Sequence, residues 1–88
     1  MARSPRKTRT EKRITGLLGV GLDGEKGEHR ITRGPDFLLV GGSQSTHERM
    51  QEAVLHVHDH LRKEGKRMQD VPAEIVEELL REGLDKTR

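Results

Sequence analysis

At Gly41-Gly42 the spacing of apolar residues changes period once, and that switch limits the fold more than any other feature of the 88 residues. Before it, apolar side chains recur at every second residue or in short runs bounded by turn residues, as strands require. After it they recur at intervals of three and four, as amphipathic helices require. Strands followed by helices, in fewer than about 100 residues, describe one small α+β domain.

The strand half divides into three. In "ITGLLGVGL" the residues Ile14, Leu18, Val20 and Leu22 share one face at period two, which predicts a strand burying that face. "DGEKGE" follows, and Asp23-Gly24 is a strong local hairpin signal, with Gly24 expected at positive φ. "HRITR" is a short polar strand around Ile31 and suits a sheet edge. After the turn at Gly34-Pro35-Asp36 comes the apolar run "FLLV", residues 37–40, expected in the centre of the sheet. Such short connections predict a three-stranded antiparallel sheet, β-β-β.

The helical half divides into two. "STHERMQEAVLHVHDHLRKEG" carries a stripe of Met50, Ala53, Val54, Val57 and Leu61. Ser45 and Glu48 fit a capping box at its start, and Gly65 suits the position after its end. Asp59 and Lys63 form an i,i+4 pair in the helpful orientation. A second helix is predicted from about Pro72 to about Gly83, with Ile75, Val76, Leu79, Leu80 and Leu84 as its buried stripe. The short "KRMQDV" between them makes the helices neighbours, both expected to pack on the sheet. Residues 13–85 form the domain.

Residues 1–12 have no apolar periodicity and read as a disordered basic arm. Through residue 13 the chain carries Arg3, Arg6, Lys7, Arg9, Lys12 and Arg13 against Glu11 alone, a net charge of +5. The overall charge is +2, so the rest is mildly acidic at −3. The arm thus has the electrostatics of a salt-dependent polyanion anchor. Its "SPRK", residues 4–7, resembles the Ser-Pro-basic-basic units of histone tails, which implies contact of Arg6 and Lys7 with the minor groove of A·T-rich DNA. With Phe37 the only aromatic, the body has no stacking platform for bases, and sequence readout is not implied.

Three motifs bear on chemistry. "GVGLDG", residues 19–24, matches the G-x-G-x-x-G spacing of dinucleotide sites, but no helix pattern follows it, so it reads as strand and hairpin. In "LLVGGSQSTHE" a glycine pair leads into a helix start, where Gly41, Gly42, Ser43, Ser45 and Thr46 could hold an anion or phosphate. Arg30, Arg33 or Arg49 could add charge there. "HVHDH" resembles the H-x-H-x-D-H run of metallo-hydrolases, one residue short. On a helix it places Glu52, His56 and His60 on one face as a candidate metal site.

Other chemistry is restricted. The absence of cysteine excludes a disulfide, a thiolate zinc site and a cysteine nucleophile. Ser43, Ser45, His47 and Asp36 are present, but their spacing does not make a triad. No apolar stretch is long enough to cross a bilayer, and none follows the basic N-terminus as a signal peptide requires. The expectation is a cytoplasmic, non-enzymatic protein without a cofactor. It would act as a binding or adaptor module through a sheet edge or helix face, on a protein partner or as a homodimer. The alternative is a nucleic-acid-associated protein, using the arm and the anion-binding helix start.

Overall fold

The computed structural model of the chain describes residues 12–24 and 29–86. Three strands precede two helices: β1 (Leu17–Gly21), β2 (Ile31–Gly34), β3 (Phe37–Gly41), α1 (Gln44–Lys63) and α2 (Ala73–Lys86), with a 3-10 turn at Met68–Asp70 between the helices. The sheet order is β1-β3-β2, which puts the apolar "FLLV" run in the centre as its composition demands.

The sheet is mixed rather than antiparallel. β2 and β3 form the antiparallel hairpin, closed by the pair Gly34↔Phe37 around Pro35 and Asp36. β1 lies parallel to β3, from Leu17↔Phe37 to Gly21↔Gly41. The hairpin expected at Asp23-Gly24 is therefore absent, because β1 and β2 flank β3 instead of each other. Nor is Gly24 at positive φ; that backbone occurs at Gly41 (φ 78°), Gly42 (φ 86°) and Gly65 (φ 69°). The first two turn the chain from β3 into α1 where it passes closest to Gly21, and a side chain there would meet backbone.

The inward face of β1 also differs from expectation. Its half-buried positions are Leu17, Gly19 and Gly21, while Leu18 and Val20 point out to solvent. The glycine at position 19 is needed for space. A Cβ there would lie 2.7 Å from Leu39 Cδ2 and 3.0 Å from Met50 Sδ, side chains that already fill the layer between sheet and α1.

α1 keeps its predicted stripe: Ala53, Val54, Val57 and Leu61 are buried, Met50 partly so, and His47 joins them. Its N-cap is Ser43, whose hydroxyl accepts from Thr46 N, so the box drawn on Ser45 and Glu48 begins two residues late. At the other end Gly65 N donates to Arg62 O and Lys66 N to Leu61 O, a Schellman motif with Gly65 in the left-handed position. α2 packs along α1 instead of joining it on the sheet, so α1 forms a middle layer. Gly83, buried against Ala53, lets the helices approach closely. The core gathers Val57, Leu61, Met68, Val71, Val76 and Leu79 around that contact, with Ile14, Leu17 and Leu80 packed against it. Ile75 and Leu84 of the expected stripe are exposed, and Ala73 and Gly83 take their places.

Arg3, Arg6, Lys7 and Arg9 lie outside the described residues. Lys12 and Arg13 are exposed, and the Lys12 carbonyl accepts from Ala73 N at 2.8 Å, tying this segment to the start of α2.

Candidate protein-interaction face

Strand parity and register lay out the side of the sheet away from α1. One cross-strand row is Leu18–Leu38–Arg33 and the next is Val20–Val40–Ile31. Leu39 and Thr32, on alternate positions, face α1; Thr32 bonds its His47, so the two rows face away. Among the described residues no element covers these rows. Leu18 is 69% exposed, Val20 56% and Ile31 59%, and Leu22 just beyond β1 reaches 91%. Leu38 and Val40 sit half-buried between them. Arg33 is the one charged residue in the two rows, at their β2 margin. The face is contiguous and apolar, on the order of 400 Å² of exposed side chain, within the range of the largest apolar patch on a typical monomer, which is often functional.

The helix start proposed for an anion is filled by the protein's own carboxylate. Asp23 Oδ1 accepts from Ser43 N at 2.9 Å, and Oδ2 accepts from Thr46 Oγ1 at 2.6 Å and Ser43 Oγ at 3.1 Å. The Thr46 hydroxyl, then the Ser43 amide, hold the Asp23 carboxyl below its ordinary value of 3.8, as donors around a carboxylate at a helix N-terminus should. Ser45 Oγ lies 3.3 Å from Ser43 Oγ, outside the carboxylate's contacts. Gly41 and Gly42 are engaged through their carbonyls, with His47 Nδ1 at 2.9 Å and Arg30 Nη1 at 3.2 Å. Arg49 is turned to the Leu84 carbonyl, and Arg33 stands on the outward face.

The histidine run spreads over three carboxylates. His56 Nε2 is 3.2 Å from Glu82 of α2, and His60 Nε2 is 3.8 Å from Glu64. His58 Nε2 meets both oxygens of Asp36 in the β2–β3 turn, at 3.0 and 3.1 Å, under the ring of Phe37. Among the described residues no group of three or more His, Asp or Glu side chains is placed to hold a metal ion, and Glu52, His56 and His60 do not converge. A cavity of about 340 Å³ opens beside His58 and Asp36, and its lining includes no hydroxyl or thiol.

Sequence reasoning passed over two polar devices. Asp23 is twenty residues from the helix it caps, with no local signature. His47 is 5% exposed, with Nδ1–H directed at the Gly41 carbonyl and Nε2 accepting from Thr32 Oγ1 at 2.7 Å; Gln51 Nε2 donates to the same hydroxyl. The acceptor-only carbonyl fixes the tautomer. Together they lock β2, β3 and α1 behind the outward face. Among the described residues no helix is long and apolar enough to cross a membrane. Compared with family models, curated proteins and solved structures, the chain has no match in any of the three.

Proposed function

We propose that this chain is a small non-enzymatic binding module that engages protein through the outward face of its sheet. One observation carries the reading: Leu18, Val20 and Ile31 stand exposed on the outward rows of the sheet around Leu38 and Val40, with Leu22 exposed just beyond β1. The other features support it by being occupied. The helix start holds Asp23, both ring nitrogens of His47 are bonded within the fold, and His56, His58 and His60 are each directed to a carboxylate. Leu55, at 55% exposure on α1, is a far smaller apolar site.

Photo-crosslinking in cells tests the reading. A benzophenone side chain placed at Ile31 is expected to yield protein adducts, while one at Glu78 on the exposed side of α2 is not. Adducts of equal yield from both positions, or none from Ile31, would remove the face as the binding surface.

A further inference from the structure

Resting on that reading of the outward face, we propose that its occupant is a second copy of this chain, docked sheet to sheet in a two-fold dimer. Among the described residues no element covers the face. Segments 1–11, 25–28 and 87–88 contribute Met1 and Ala2 as their only apolar residues besides Pro5, and are otherwise mainly charged, hydroxylic or glycine. A second copy offers a matching apolar face, which these segments do not.

The register makes the face complementary to itself. With the two-fold axis along β3, Leu38 meets Leu38 and Val40 meets Val40 of the other copy, while Arg33 lies over Leu18. With the axis across the strands, the row Leu18–Leu38–Arg33 lies over Val20–Val40–Ile31, and Arg33 lies over Ile31. Neither arrangement opposes two guanidinium groups. Arg33 stays at the margin in both, where its stem covers apolar surface and its head reaches water. Two such sheets pack about 10 Å apart at the shallow angle of a sandwich. The order of layers becomes α2, α1, sheet, sheet, α1, α2.

The area meets what a specific contact needs. Pairing two faces hides about 800 Å² of apolar surface, and the rim brings the total near about 1,200 Å², the lower end for a specific interface. Area alone does not fix affinity, so association is followed over a wide concentration range.

Sedimentation equilibrium of the full chain from about 1 to 500 μM decides it. The mass is expected to rise with concentration from 10.0 kDa toward twice that value. Val20→Glu should weaken association at least about 30-fold, because the dimer would bury an unpaired carboxylate. Leu22→Glu, outside the strand and 91% exposed, should weaken it without a question of folding, and it decides if Val20→Glu unfolds. The chain has no cysteine, so Val40→Cys with a short bis-maleimide should trap a dimer, and Glu78→Cys should not. A constant 10.0 kDa mass overturns the second copy as occupant, and the crosslinking from Ile31 still judges the face as a binding surface. A dimer indifferent to both glutamates overturns the proposal too, by placing the contact at a strand edge or on the helices.

Discussion

Gly83→Ala tests how the helical layers are held together, because two principles predict opposite signs. In an exposed helix the change stabilises by about 1 kcal/mol, since glycine is the poorer helix former. At position 83 the new methyl carbon would lie 2.9 Å from Ala53 Cα, 3.1 Å from His56 Cβ and 3.2 Å from the Ala53 carbonyl oxygen. Ordinary contact begins near 3.4 Å, and two of the three neighbours are backbone that no rotamer can move aside. The helices must separate, which loosens Val57, Leu61, Val76 and Leu79 along the same contact. Crowding of this kind costs about 1–3 kcal/mol, and two backbone neighbours inside ordinary contact place this site in the upper part of that range, so after the propensity gain a net loss of about 1–2 kcal/mol is expected. In a domain of this size that lowers Tm by roughly 5–15 °C. Ala53→Gly should not rescue it, because the clash is with the Cα and carbonyl of Ala53 and not with its methyl. Gly65→Ala is the control of opposite kind: nothing lies within 4 Å, and the cost comes only from the left-handed backbone at φ 69°. Gly65→Asn should recover most of that cost, and Gly83→Asn should recover none. Thermal unfolding by circular dichroism reads all five variants. An unchanged or raised Tm for Gly83→Ala would refute the close backbone contact.

Two further perturbations address the polar devices. The Asp23 carboxyl lies below its ordinary value in the folded chain, so its stabilisation is fully present above about pH 4 and is lost as pH falls through the lowered folded value. Asp23→Asn should therefore flatten the acid limb of a urea-midpoint profile; the residual slope belongs to Asp59, lowered chiefly by the Arg62 side chain, and Asp70, lowered chiefly by the Arg67 amide. Parallel acid limbs in variant and parent would remove Asp23 from the account. His47→Leu leaves the Gly41 carbonyl without its donor while Thr32 keeps Gln51, and should lower stability by about 1–3 kcal/mol in chemical denaturation; an unchanged midpoint would show that water replaces the imidazole without loss.

The two helices were legible because their determinants are local. Ala53, Val54, Val57 and Leu61 repeat the helical period, and Gly65 ends it by a bond pattern confined to a few residues. Pairing in the sheet was less legible. "FLLV" has two edges, the Pro35-Asp36 turn assigns one of them to β2, and nothing within residues 14–24 announces that β1 takes the other in parallel. Asp23-Gly24 read as a hairpin because the Asp carboxylate's real partners, Ser43 and Thr46, are twenty and more residues away. Glu52, His56 and His60 on one helical face read as a candidate metal site, yet His56 is directed to Glu82 and His60 to Glu64.

The face of β1 was misread for a reason that bears on function. Alternation in Leu18-Gly19-Val20-Gly21-Leu22 states which residues share a side, but not which side is inside; assigning the larger residues to the core is the natural choice. Here Leu39 and Met50 already fill the inner layer, and only glycine fits beneath them. The large residues are thereby directed outward. A sheet face meant for water can carry Thr at full strand propensity or a charged side chain, and β2 makes one such choice with Arg33. Leu18, Val20, Leu38, Val40 and Ile31 make the other choice on three strands at once, and they do so around a common centre. Among the described residues no other element packs on them, while Leu39 on the opposite side is buried against α1. What they contribute is apolar area that the described part of the fold leaves in water, where burying it would gain free energy. The outward side of β1, which looked like the core's first contributor, is a part of the fold that the core does not use.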